Sequence, residues 1–386
     1  MAFSTVIDLH FAYLIAKMWA MEYMEQALAL ARLALGQVSP NPAVGAVLVK
    51  DGMVVGQGYT QPPGGHHAEI VALEQAGDAA RGSALYVTLE PCAHFGRTPP
   101  CSRALIEAGV KQVHMAMIDP NPAVSGRGKA ELEAAGIITT VGQKNEQAQV
   151  LNEAYVKYVI TGLPFITVKF AMSLDGKIAT HTGDSKWISC EESRQYSHNL
   201  RYMNDAIMCG VNTILADDPQ LTRRCCGGRG GTIRKQPLRV IVDGRGRTPT
   251  TARIFREQGE TLLVFGRTLS PAERESFAEL RADVVEFPAE DGIINLGELL
   301  HWLGQRQITS ILVEGGGILV GSLFDQGLVD KVVAFIAPVI IGGQSKGAVA
   351  GRGVERLIDA HALSRVTVAQ SGPDIVIQGY ISPPSD

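Results

Sequence analysis

Basic clusters are missing from this chain. Its 35 Lys and Arg face 39 Asp and Glu across 386 residues, a formal net charge of −4, and no long Lys/Arg run occurs. A sequence-independent grip on nucleic acid needs a basic surface, so nucleic acid is not an expected partner. Cysteine is scarce as well, six in all. That excludes a disulfide scaffold and leaves metal binding or catalysis as the use to look for. Long apolar runs are absent too. A membrane helix needs about 20 apolar residues, and the nearest approach, Phe11 to Ala16, stops at Lys17. Asp8 precedes it with no Lys or Arg, so it also lacks the start of a secretory signal. Residues 1–20 therefore read as an extension, disordered or partly helical, and the chain as a cytoplasmic protein with no membrane partner.

The remaining composition, 46% hydrophobic and 19% charged, is that of an ordinary globular chain. At this length single cores split, so two domains are expected. Met21 to Leu35 has an amphipathic helical pattern closed by Gly36. Val44 to Val49 and Met53 to Val55 read as strands, with Asp51-Gly52 as the hairpin signal between them. Further on, helices are expected from about His67 through Gln75, at Cys101 to Ala108 and at Gly126 to Ala135. Strands are expected at Ala84 to Leu89 and Val110 to Met117, and a loop at Pro91 to Pro100. This alternation predicts an α/β/α layered sheet over residues 21–163.

The rhythm restarts at Gly162-Leu163-Pro164. Phe165 to Phe170, Leu238 to Val242, Thr261 to Phe265, Ser310 to Val313 and Lys331 to Ile340 read as strands. Glu191 to Asn204 and Leu296 to Leu303 read as helices. Residues 164–386 are thus a second α/β domain. Arg223 to Lys235, rich in Gly and Arg, reads as a flexible loop.

Chemistry concentrates in two short segments of the first domain, His67-Ala68-Glu69 and Pro91-Cys92 with Cys101 beyond. A catalytic zinc keeps three nitrogen or sulfur ligands and an open position for water. His67, Cys92 and Cys101 would fill the three, and Glu69 would be left free to move protons. Zinc deaminases carry His-x-Glu followed by Pro-Cys-x-x-Cys, the Glu not being a ligand. Here eight residues separate the cysteines. His67 and Cys101 each fall at a helix start, where unpaired N–H groups and partial positive charge favour thiolate. One alternative is a four-ligand structural zinc completed by His66 or His94. Another is a nucleic-acid base deaminase, against which the charge argues. Cys190, Cys209, Cys225 and Cys226 fit no pattern and read as free thiols.

Two features stand out in the second domain. Val313-Glu314-Gly315-Gly316-Gly317 follows a strand and enters the helix-like Ile318 to Phe324. Such a turn lets backbone N–H groups approach a phosphate at a helix start, or it is only a tight turn. It is not Gly-x-Gly-x-x-Gly, so the Rossmann fingerprint is absent. Ala216 to Thr222, with Asp217-Asp218-Pro219, is a polar turn after an apolar run, either a capping loop or part of a site.

Thr88 through Cys101, with Gly96-Arg97-Thr98-Pro99-Pro100 between the cysteines, resembles the fingerprint of the bifunctional riboflavin-biosynthesis deaminase–reductases. Ser39-Pro40-Asn41-Pro42-Ala43-Val44-Gly45 is similar to that family's early substrate loop, with Ser39 where a His is usual. Asp119-Pro120-Asn121-Pro122 and Gly126-Arg127-Gly128 match as well, and Lys169 to Ala179 resembles the reductase half. The resemblance runs from about Met21 to Gly379. It implies a cytidine-deaminase-like α/β/α domain followed by a dihydrofolate-reductase-like α/β domain, one catalytic Zn2+ and NADPH. Position by position, Ala171, Trp187, Thr213, Asp217 and the turn Gly316, Gly317, Ile318, Leu319, Val320, Gly321 and Ser322 would contact the cofactor. Ser185, Arg201, Leu221, Arg224 and Glu314 would contact substrate. Arg201 and Arg224 suit a sugar phosphate, because a guanidinium fork binds phosphate bidentately. The implied reaction is hydrolytic deamination of 2,5-diamino-6-(5-phosphoribosylamino)pyrimidin-4(3H)-one. NADPH reduction of the ribosyl chain then gives 5-amino-6-(5-phosphoribitylamino)uracil. The implied partners are this small molecule and further copies of the chain, as a dimer or tetramer.

Overall fold

The computed structural model describes residues 23–93, 100–223, 236–290 and 292–382. The chain divides into two compact units between Gly162 and Leu163.

The first unit is built on a five-stranded sheet. Its strands are β1 (Gly45–Lys50), β2 (Met53–Tyr59), β3 (Ala84–Val87), β4 (Gln112–Met115) and β5 (Ile138–Val141), in the order β2-β1-β3-β4-β5. β1 runs antiparallel to β2 and β3, whereas β3, β4 and β5 are parallel. The β1–β2 turn falls on Asp51-Gly52, as the sequence requires. The helices are α1 (23–34), α2 (Ala68–Ala76), α3 (Cys101–Ala108), α4 (Arg127–Ala134), α5 (Asn145–Leu151) and α6 (Glu153–Thr161). Ala27 of α1 and Ala68, Ala72 and Ala76 of α2 are buried in the core beside Val47, Leu48 and Leu85 of the sheet. Their small side chains let the helices lie close to the sheet. A Cβ on Gly58 of β2 would lie 2.5 Å from the Ala68 carbonyl oxygen. This glycine sets the depth at which α2, and with it His67 and Glu69, is seated.

Strand β5 and helices α5 and α6 carry no clear pattern in the sequence. Ile138 and Val141 of β5 are exposed, and α6 buries none of its residues fully. Their value is in anchoring. Asn152, between α5 and α6, is buried and exchanges hydrogen bonds with Ala43 at 2.8 and 3.0 Å, pinning the Ser39–Gly45 loop.

The second unit has a nine-stranded sheet. Its strands are β6 (Phe165–Ser173), β7 (Ala206–Gly210), β8 (Leu238–Asp243), β9 (Thr261–Phe265), β10 (Ala282–Glu286), β13 (Ser310–Glu314), β14 (Lys331–Ala337), β15 (Leu363–Ser371) and β16 (Asp374–Ile381). A separate two-stranded ribbon pairs β11 (Ala289–Glu290) with β12 (Ile293–Ile294). The order is β10-β9-β8-β7-β13-β6-β14-β16-β15. Seven strands from β10 to β14 are parallel, and β16 and β15 are antiparallel at one edge. β14 stops three residues short of the expected Ile340, because Pro338 has no N–H to continue the ladder.

Successive strand residues point to opposite faces, and the cores divide accordingly. Val240, Leu262, Met208 and Ile311 pack with α10 (Leu296–Gln305) and α11 (Gly317–Asp325) on one face. Ile241, Leu263, Ile207 and Cys209 pack on the other with Ile214 of α8 (Val211–Asp217) and Phe277 of α9 (Pro271–Glu279). Leu200 of α7 (Glu191–Met203) lies with Leu312, Val333 and Phe335 in a separate cluster. Both faces of the parallel strands are covered, which is why these strands read as unbroken apolar runs.

The expected flexible loop Arg223–Lys235 needs correction at its start. Arg223 is buried, its guanidinium lies 4.9 Å from the Tyr202 ring, and its N–H donates to Gln236 Oε1 at 3.0 Å. Residues 224–235, including Arg224, Cys225 and Cys226, lie outside the described residues, as do residues 94–99, including His94.

Candidate active sites

In the first unit, the loop leaving β3 and the starts of α2 and α3 meet. His67 is the N-cap of α2 and Cys101 the first residue of α3. With Cys92 they offer three ligand atoms that all lie within 4.8 Å of one another. His67 Nδ1 is 3.2 Å from Cys101 Sγ and 3.6 Å from Cys92 Sγ. The Cys101 N–H donates to Cys92 Sγ at 3.4 Å. Hydrogen bonds from Cys101, then from His67, hold Cys92 down to about 4, whereas the same contact and burial push Cys101 up. The hydrogen bond to Cys92 outweighs burial and raises the His67 pKa. A thiolate, a second thiol made acidic only by a cation, and an imidazole are the donor set a zinc ion takes. His66 points elsewhere, with its Nδ1 3.0 Å from Glu74 Oε1.

Glu69 sits one residue into α2 and is only 4% exposed. Burial, and then the negative Cys92, push its carboxyl up to about 7. At that value the group can hold or release a proton near neutral pH.

The Cys92 loop is held from two sides. Glu90, buried, accepts backbone N–H groups from Asp119, Gly126 and Lys129 at 3.2, 3.0 and 2.9 Å. Ser102 donates its N–H to the Cys92 carbonyl at 3.1 Å. Asp119 in turn accepts from the Tyr155 hydroxyl at 3.0 Å. The Asp119–Pro122 and Gly126–Gly128 motifs thus act as a cradle for Cys92. Glu90 has no role in the sequence reading, although an acid beside Pro91-Cys92 is a signal.

In the second unit, a cavity of about 310 Å³ opens where parallel strands end. Ligands of open α/β sheets bind at such carboxyl ends. Among the residues expected to hold cofactor, Thr213, Asp217, Gly316, Gly317, Ile318, Leu319 and Ser322 line it, and so does Ser185. Gly315 and Gly316 have φ of +80° and +81°, which only glycine adopts without strain. A Cβ on Gly316 would come within 3.3 Å of Thr213 Oγ1, so the cradle is open only for want of a side chain. The turn leads into α11, whose first N–H groups have no helical partner. This suits the phosphates of a dinucleotide.

Val320 and Gly321 do not face the cavity. Val320 is in the core, and a Cβ on Gly321 would lie 1.8 Å from the Ala350 carbonyl oxygen. Ala171 packs against the Leu200–Phe335 cluster, and Leu221 is buried with Ile207 and Ile241. Trp187 is 71% exposed under the Arg194 guanidinium.

Arg201 reaches from α7 to Glu314 at the end of β13. Its Nε and Nη2 donate to the two carboxylate oxygens at 2.5 and 2.9 Å, and its Nη1 to the Thr222 carbonyl at 2.8 Å. The fork that the sequence would give to a phosphate is occupied by Glu314. Burial works against both charges, but Arg201 and Lys169 outweigh it and hold Glu314 below the ordinary carboxylate value. Lys169 is opposite Glu314 in the β6–β13 register, and burial lowers its pKa. Lys169 has no role in the sequence reading, though a lysine inside an apolar strand is a signal.

Comparison with known proteins agrees with both halves. Residues 17–117 match the family described as the cytidine and deoxycytidylate deaminase zinc-binding region, and residues 164–377 match the RibD C-terminal domain. The riboflavin biosynthesis protein RibD of Aquifex aeolicus is 42% identical over 92% of this chain and 96% of its own length. The solved RibD of Acinetobacter baumannii (form 1) superposes with a TM-score of 0.85 at 36% identity, covering 95% of this chain and 99% of that one. A Thermotoga maritima structure described as a diaminohydroxyphosphoribosylaminopyrimidine deaminase/5-amino-6-(5-phosphoribosylamino)uracil reductase superposes with a TM-score of 0.82. It is 33% identical and covers 94% of this chain and 99% of its own. Among the described residues no helix is long and apolar enough to cross a membrane. A zinc-binding deaminase unit of cytidine-deaminase type, joined to an NADPH-type reductase unit, places this chain in the RibD family of bifunctional riboflavin-biosynthesis enzymes.

Proposed function

We propose that the first unit hydrolyses the exocyclic amine of 2,5-diamino-6-(5-phosphoribosylamino)pyrimidin-4(3H)-one. The second unit then reduces the ribosyl chain of the product, yielding 5-amino-6-(5-phosphoribitylamino)uracil. The observation that carries this reading is the buried carboxyl of Glu69, two residues from His67 and beside the three convergent ligand atoms.

His67, Cys92 and Cys101 would hold the zinc ion. When bound, zinc lowers the pKa of water toward neutrality and supplies the nucleophile. Glu69 has the protein's part in the proton traffic. Its carboxylate takes a proton from water, and its carboxylic acid gives that proton to the departing amino group. In the second unit, Thr213, Asp217, Gly316, Gly317, Ile318, Leu319 and Ser322 would hold NADPH, which supplies the hydride. Ser185, Arg201 and Glu314 would surround the sugar, whereas Leu221 is buried in the core away from it. The Arg201 guanidinium acts there through Glu314, which it holds ionised, and Lys169 adds a second cation on the same side. The reading also takes the chain to be a cytoplasmic homo-oligomer, a dimer or tetramer. Val366 and Val368, apolar and exposed on the edge strand β15, support that assembly.

Glu69→Gln tests the proposal. The variant is expected to keep zinc at one equivalent, lose ammonia release by roughly 10²- to 10⁴-fold, and oxidise NADPH normally on pre-deaminated substrate. Ammonia release within a few-fold of wild type would remove Glu69 from the mechanism.

A further inference from the structure

We propose that Glu131 of α4 is a positioning residue for the zinc site. Acting through Ser102, it fixes the Cys101 end of the cysteine pair against the same helix that fixes the Cys92 end. This rests on reading His67, Cys92 and Cys101 as the ligands.

The spacing of the cysteines creates the need. Two intervening residues, as in Pro-Cys-x-x-Cys, keep two thiols close through the backbone itself. From Cys92 to Cys101 is a step of 9 residues, and a chain of that length spans about 30 Å when extended. Connectivity therefore leaves the two thiols free to part. Other contacts must hold their backbones at the separation that one ion requires.

Helix α4 grips both ends. On the Cys92 side, Glu90 accepts the N–H groups of Gly126 and Lys129 at 3.0 and 2.9 Å. Gly128 lies so close to this loop that a Cβ there would be 1.9 Å from the Pro91 carbonyl oxygen. On the Cys101 side, Glu131 lies on the same face of α4, one turn beyond Gly128. Its Oε2 accepts the Ser102 hydroxyl at 2.6 Å, the length of a strong hydroxyl–carboxylate bond. Ser102 is fully buried and follows Cys101 directly at the start of α3. Its N–H donates to the Cys92 carbonyl at 3.1 Å, and its hydroxyl oxygen is 3.1 Å from that carbonyl. The hydroxyl has one proton, and of its two acceptors Glu131 is the nearer. Ser102 thus joins the backbones of the two cysteines, and Glu131 joins Ser102 to α4. The second carboxylate oxygen, Oε1, accepts from Nε of the exposed Arg103 at 3.2 Å.

The test measures zinc affinity on the full chain by competition with a chromogenic chelator. Glu131→Ala and Ser102→Ala are each expected to weaken zinc binding roughly 10- to 100-fold, the range for groups that hold a ligand from behind. The double variant should be no weaker than the weaker single one, because both changes break the same link. Glu131→Gln keeps an oxygen for the hydroxyl and should bind zinc more tightly than Glu131→Ala. Arg103→Ala removes only an exposed ion pair and should leave affinity within about twofold of wild type. With cobalt in place of zinc, the thiolate-to-metal absorption bands of Glu131→Ala should shift, which a loss of stability alone does not cause. Affinity within about twofold of wild type in both single alanine variants, against the range above, would overturn the proposal. Losses that add in the double variant would also overturn it, as would a glutamine variant no better than alanine. An Arg103→Ala loss as large as that of Glu131→Ala would assign the effect to the ion pair instead. Unchanged cobalt bands with a lower melting temperature of the zinc-free chain would leave Glu131 a merely structural role and sink the proposal too. A wild-type chain that takes up no zinc would overturn the reading of the three ligands, and this proposal with it. NADPH oxidation on deaminated substrate, expected to be unchanged in every variant, reports that the second unit is folded.

Discussion

At the scale of single residues, burial is what turns ordinary side chains into reagents. Glu69 is a helix carboxyl by sequence, and its pKa near 7 comes from desolvation and a neighbouring thiolate. Arg201 shows the opposite balance, in which two buried charges survive because each satisfies the other. Removing one partner of such a pair costs about 3–5 kcal/mol, because a charge is left buried alone. Arg201→Ala is therefore expected to destabilise the second unit by about that much and to raise the reductase KM for its substrate. Urea denaturation followed alongside steady-state kinetics checks both. An unchanged midpoint would mean that Glu314 finds another partner or water. Residue types and their spacing exposed the zinc ligands and Glu69. The Arg201–Glu314 pair, 113 positions apart, has no local signature and could be placed only through resemblance.

Elements carry the precision of the sites. Helix α4 touches no ligand, yet it meets the Cys92 loop so closely that a Cβ on Gly128 would lie 1.9 Å from the Pro91 carbonyl oxygen. Gly128→Ala must push that loop away from α4. Groups outside the ligand shell usually change metal affinity by about 10- to 100-fold when altered. The expected outcome is a weakening of zinc binding in that range, read by competition with a chromogenic chelator, with reductase activity unchanged. Unaltered affinity would mean that α4 yields instead. The hairpin β1–β2, helix α3 and strand β9 were legible because turn residues or apolar runs mark them. Strand β5, helix α6 and the edge strand β15 were not, since they lie at an edge or bury little and so leave weak periodicity.

At the scale of the molecule, each hydrophobic cluster draws on one unit. The first-unit core runs from Tyr23 to Ala148, and the main second-unit core from Ile166 to Ala334. Two activities with separate cores are expected to fail separately. Chelation of zinc should abolish ammonia release while NADPH oxidation on deaminated substrate continues at its normal rate, and added zinc should restore the first. Loss of both on chelation would show that the units depend on one metal.

The sequence alone determined the two-part α/β organisation, the donor set for zinc, the carboxyl beside it and the glycine turn. Each is written in residue type and short spacing, which local chemistry reads directly. Only the tertiary structure decided which glycine-turn residues face the cavity and that Glu314 occupies the Arg201 fork. Those are facts of strand order and burial. They join residues tens to hundreds of positions apart, where no local pattern can record the contact.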